Sequence, residues 1–107
     1  MHFLVFLIAV LPSLAIADCS SWGCTSTLNI LYTKATGAIF VSTDDDEAEA
    51  NCNAVSGQYF TVSPTAENKE QIYLSLLTAF NTGREIKIRI KEKSKNCEIA
   101  YVVLFNE

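Results

Sequence analysis

The sequence predicts a mainly β domain with one helix, its five strands closed into a small barrel. Three observations carry that expectation. The block from Ser63 to Lys93 reads as an amphipathic helix, a glycine stop and a strongly alternating strand. Three short strand-like segments precede this block and one apolar segment follows it, giving the order strand, strand, strand, helix, strand, strand. Four cysteines, Cys19, Cys24, Cys52 and Cys97, all lie beyond an apolar start of the kind that directs export.

Residues 1–17, MHFLVFLIAVLPSLAIA, are broken by Pro12 and end in Ala15-Ile16-Ala17, the small-residue pattern of a secretory cleavage site. The expectation is a signal peptide over 1–17 and one domain over 18–107, secreted or periplasmic, with no stable membrane span after cleavage. A lone membrane anchor is the competing reading, and the run is short against the ~20 residues a bilayer requires. A lipid anchor on Cys19 is disfavoured by Asp18, which stands where such signals carry a small residue. The remaining chain is too short for two cores. Its net charge of −4 disfavours nucleic acid as a partner.

In an oxidising compartment the cysteines pair. Of three possible connectivities, the expected one joins Cys19 to Cys24 across a short loop and Cys52 to Cys97 across a long one. Zinc is the alternative, but paired C-x-x-C knuckles are absent.

Asp18 to Thr25 is a polar lead-in held by a disulfide and carrying Trp22, as a lid on the core or an exposed anchor. Thr27 to Thr33 alternates, with Leu28, Ile30 and Tyr32 on one side, and Ala38 to Thr43 returns after Lys34-Ala35-Thr36-Gly37 to form a hairpin. Asp44 to Glu49 is an exposed acidic loop, and Gln58 to Val62 is the third strand. Ser63 followed by Pro64 signals a helix start, with Thr65 a rival cap. The stripe Ile72, Tyr73, Leu76, Leu77 and Phe80 then faces the core, and Gly83 ends the helix. Ile86, Ile88 and Ile90 alternate with Lys87, Arg89 and Lys91, a half-buried strand. Glu98 to Phe105 has no polar residue after Glu98, which predicts a last strand buried on both faces.

A helix between the third and fourth of five strands is the order of the OB-fold barrel, in which the helix plugs one end. An open α+β sheet with one packed helix is the alternative. The block from Ser63 to Leu104, with Leu76, Leu77 and Ala79 at the helix centre, the Gly83 stop, the EIKIRI strand, Cys97 and an apolar last strand, resembles a group of small exported bacterial proteins of unknown function. The architecture is also similar to the pentameric B subunits of bacterial toxins, such as those of cholera toxin and subtilase cytotoxin. That resemblance implies a non-catalytic, carbohydrate-binding protein that assembles as a homopentamer through edge strands.

The residues themselves agree with binding rather than catalysis. The only histidine, His2, lies in the expected signal peptide, which leaves neither a Ser-His-Asp nor a Cys-His arrangement. No cofactor or metal is expected: the Asp44 to Glu49 acids lack EF-hand spacing and a glycine to turn the loop. Lys87, Arg89, Lys91, Lys93 and Lys95 occupy alternate positions. They form a basic ridge suited to an anionic ligand, to the acidic loop of a neighbouring subunit, or to protection of an exposed strand from aggregation. Tyr32 and Tyr101 are expected in the core and Tyr73 on the rim of the helix stripe. Candidate ligand or interface residues are therefore Lys87, Arg89, Lys91, Trp22 and Tyr73. The alternative function is a monomeric secreted or envelope protein acting on a protein partner, for instance as an inhibitor.

Overall fold

The computed structural model describes residues 17–106. Apart from Ala17, the expected signal peptide over 1–17 lies outside the described residues. Seven strands and one α-helix follow: β1 (Asp18–Ser20), β2 (Gly23–Ser26), β3 (Leu28–Thr33), β4 (Ile39–Thr43), β5 (Phe60–Val62), α1 (Lys69–Thr82), β6 (Ile86–Ile90) and β7 (Ile99–Leu104). They build two antiparallel sheets, one in the order β1-β2-β6-β7 and one in the order β3-β4-β5. This is mainly β with one helix, and the open α+β arrangement fits it. The sheets are not joined into a continuous barrel; one parallel bridge, Thr61 to Glu98, links β5 to the residue before β7.

Alternation dictates β6. Ile86, Ile88 and Ile90 are buried while Lys87 and Arg89 point to the other face. These isoleucines meet Ile39, Val41, Phe60 and Val62 from the second sheet and Ile72, Leu76 and Ala79 from α1, forming the core. Each fully buried aliphatic side chain contributes about 1.5 to 3 kcal/mol. Gly83 ends α1 at a φ of 68°, its N–H donating to the Ala79 carbonyl.

The helix starts later than Ser63-Pro64 suggests. Ser63 Oγ accepts from the Thr65 N–H at 3.3 Å, and the Ser63 and Ala66 carbonyls accept from the Ala66 and Lys69 N–H groups. Two successive turns therefore occupy the predicted first helical turn. Asn68, at the true start, turns its amide to the Ala100 carbonyl at 3.1 Å and so ties α1 to β7. The buried stripe narrows to Ile72, Leu76 and Ala79, and Phe80 rotates off it to 41% exposure.

The lead-in Asp18 to Thr25 is held by its disulfide as expected and is more ordered than its composition suggests, since β1 and β2 form a hairpin whose backbone pairing needs no apolar alternation. Further expectations are corrected. The last strand is not buried on both faces, because only one face of its sheet meets the core. Tyr101 stands on the other, directly paired with Arg89, and is 47% exposed. Tyr32 is likewise outside the core, stacked on Phe40 with ring centroids 5.1 Å apart and 37% exposed. The acidic loop is only partly solvated. Glu47 is buried, its carboxylate accepting from the Thr43 N–H and from Thr43 Oγ1, the latter at 2.7 Å.

Both expected disulfides are present, Cys19–Cys24 and Cys52–Cys97. The second sits among loop contacts that tie distant segments. Asn51 donates to the Ser21 carbonyl and accepts from the Lys93 N–H, and Asn53 donates to the Ser94 carbonyl. Among the described residues, Ser42 Oγ is the one buried side-chain polar atom without a hydrogen-bond partner. An unpaired buried hydroxyl is destabilising, so Ser42→Ala is expected to stabilise the domain by about 1 kcal/mol. Thermal melting should show a rise of roughly 4 to 8 °C, and a fall would refute the assignment.

Candidate functional site

The basic ridge divides after β6. Lys87 and Arg89 lie on the outer face of a strand paired on both sides, by β2 and by β7, so β6 is not an edge strand. Lys93 takes a φ of 67° in the following turn, which ends the alternation that would have aligned it and Lys95 with the others. Carboxylates answer two of the remaining charges: Arg89 is 3.9 Å from Glu92 and Lys91 is 3.8 Å from Glu98. Such exposed pairs contribute little stability, but each offsets the charge offered to an external anion.

Trp22 and Lys87 do come together. The Lys87 ammonium lies 4.9 Å from the Trp22 ring centroid, and the Trp22 carbonyl accepts from the Ile90 N–H at 2.9 Å. Strand register adds Tyr101 beside Arg89, so one sheet face presents Trp22, Lys87, Arg89 and Tyr101.

Tyr73 is elsewhere. It lines a cleft of about 380 Å³ between α1 and the β3–β4 hairpin, together with Lys34, Ile39, Lys69, Glu70 and Leu74. The hairpin turn is closed by bonds from Gly37 to the Lys34 carbonyl and from Lys34 to the Ala38 carbonyl, both 2.8 Å. Gly37 has a φ of 93°, and a Cβ there would come within 2.9 Å of Lys69 Nζ. Glycine thus lets the turn approach the helix and brings the Lys69 ammonium against the hairpin backbone. Lys34 is itself positioned, with Nζ 4.7 Å from the Phe40 ring centroid. The cleft thus sets Ile39, Leu74 and Tyr73 beside Lys69 and Glu70, while the Lys34 ammonium turns to Phe40, which does not line it.

Sequence reasoning reached Tyr73 and missed Lys34 and Lys69. Lys34 reads as an ordinary turn residue. The available signal was the i, i+4 spacing of Lys69 and Tyr73, which places both on one side of a helix.

Fold and surface define a disulfide-bonded, mainly β domain with one helix, a helix-bordered cleft and a separate aromatic and basic sheet face. Among the described residues, no three His, Cys, Asp or Glu side chains cluster to hold a metal, and no helix is long and apolar enough to cross a membrane. No protein-family model, curated protein or solved structure matches the chain.

Proposed function

We propose that this chain is a secreted or periplasmic, non-catalytic binding module with an OB-like barrel, related in architecture to toxin B subunits and recognising a glycan or another anionic ligand. The cyclic order of strand contacts carries this reading. β3 pairs with β4 and β4 with β5; β5 bridges to the residue before β7; β7 pairs with β6, and β6 with β2. Only Thr27 separates β2 from β3, so covalent continuity rather than strand pairing carries this order from one sheet into the other. That is the neighbour order of a five-stranded OB barrel, with α1 between the third and fourth strands. Two disulfides suit an oxidising compartment. Pentamer formation would use sheet edges, and β1 and β7 terminate the first sheet.

The test is light scattering of the oxidised protein at two salt concentrations, followed by a glycan array. A pentamer that loosens in high salt and retains arrayed glycans is expected. Replacing Arg89 and Lys91 by glutamate should give folded monomers if the ridge meets the Asp44 to Glu49 loop of a neighbour; unchanged assembly would exclude that contact. A monomer at both salts that retains no glycan overturns the reading.

A second reading, a monomeric protein-interaction factor, is favoured by one observation. Trp22, Arg89 and Tyr101 share an outer face, and these residue types dominate binding hot spots.

A further inference from the structure

The cleft between α1 and the β3–β4 hairpin is apolar along one side and electrically balanced. Its volume of about 380 Å³ is that of a small-molecule site. Ile39 lies at its floor, and Tyr73 and Leu74 form the wall on α1. Leu74 is 62% exposed, the most open of the large apolar side chains among the described residues, so a ligand body has surface to cover there. Lys34 reaches the cleft only with its stem, because its ammonium lies over Phe40. The charges that remain are Lys69 and Glu70, one of each sign, and among the described residues neither takes part in an ion pair. They cancel, so an anion or a cation entering the cleft would lose hydration with no net charge to meet it. The hydroxyls of Tyr73 and Thr33 are few for a sugar, which would leave buried polar atoms unpaired. The Lys69 ammonium stands against the hairpin turn, 2.9 Å from where a Cβ on Gly37 would lie, and offers a placed hydrogen-bond donor.

We infer that this cleft binds a small neutral acyl compound with an apolar body, an alkyl or aryl amide. Its carbonyl oxygen accepts from the Lys69 ammonium, and its body packs on Ile39, Tyr73 and Leu74. An amide N–H supplies a donor to the Glu70 carboxylate, so both charged groups keep a partner when water leaves. This ligand class lies outside the glycan or anion reading and does not rest on it.

Backbone amide resonances of the oxidised protein, titrated at neutral pH with hexanamide, hexanoate and hexylamine, test it. These probes share one body and carry no charge, a negative charge and a positive charge. Hexanamide should give saturable shifts at Gly37, Lys69, Tyr73 and Leu74 by on the order of 10 mM, and each charged probe should bind at least about threefold more weakly. Lys69 is half-buried and Glu70 exposed, so single substitutions there should keep the spectrum of a folded domain. Lys69→Met removes the donor and should weaken hexanamide by about tenfold. Glu70→Gln leaves Lys69 unbalanced and should reverse the order, with hexanoate binding more tightly than hexanamide. Preference of the unsubstituted protein for either charged probe, an order unchanged by Glu70→Gln, tighter binding of galactose in the same cleft, or no shifts at these residues would each overturn the inference. A pentamer that retains glycans without responding to hexanamide would defeat this inference alone. Hexanamide binding by a monomer that retains no glycan would defeat the toxin-like reading alone.

Discussion

Removing the Cys52–Cys97 disulfide by paired alanine substitution is expected to destabilise the domain about twice as much as removing Cys19–Cys24. The two bridges span separations of 45 and 5 residues. In the chain-entropy account, closing the longer loop in the unfolded chain contributes about 4 kcal/mol and the shorter about 2 kcal/mol. Small domains have only about 5 to 15 kcal/mol in total, so the first loss approaches the whole margin. Urea unfolding should show the midpoint falling by roughly 2 to 3 M for C52A/C97A, at an m-value of about 1.5 kcal/mol/M, and by half that for C19A/C24A. Equal losses would mean that the long bridge closes a loop already held in the unfolded chain. The native contacts around it make the larger loss the expected one. The bonds from Asn51 and Asn53 to the Ser21, Lys93 and Ser94 backbones align segments far apart in sequence, and the bridge keeps those segments near each other.

What the sequence revealed about the fold follows from how local each signal is. Gly83 and the Ile86, Ile88, Ile90 alternation are local, and both the helix end and β6 fall where they predict. The cysteine pairing was readable because one expected bridge closes a short local loop and the other ties the middle of the chain to its last hairpin. The β1–β2 hairpin was hidden because its order comes from backbone pairing and a crosslink, with no apolar period to display it. Glu47 was hidden for a different reason. In a run of acids it resembles its solvated neighbours, and only the return of the chain brings its carboxylate to Thr43. The basic ridge was overextended because composition shows five alternating cations, whereas the positive φ at Lys93 interrupts the strand geometry that alternation requires. The cleft needs the hairpin turn and the helix start to meet. That meeting is a tertiary fact, carried by Gly37 against Lys69.

Gly23→Ala is expected to disrupt the fold more than any other single methyl addition at a described glycine. Gly23 begins β2 opposite Arg89, at a φ of 143° that side-chain-bearing residues avoid. An added Cβ would lie 1.9 Å from the Ile88 carbonyl oxygen and 3.3 Å from Arg89 Cα. These are backbone atoms of β6, held between β2 and β7, so no side-chain rotation relieves the clash. Relief requires β2 to part from β6, which uncouples the β1–β2 hairpin and exposes the core beside Ile88. The cost should exceed about 4 kcal/mol, the range reserved for overpacking and backbone strain combined. Gly57→Ala supplies the control. Its φ of 72° is also left-handed, but nothing lies within 4 Å of the added Cβ. It should cost only the conformational penalty of about 1 to 2 kcal/mol. Parallel urea titrations of the two oxidised variants would separate clash from backbone preference. A loss at Gly23 no larger than that at Gly57 would mean that β2 can shift against β6 without breaking the sheet. The Trp22 and Lys87 pairing would then be adjustable, and the outer face they share would not be a rigid surface.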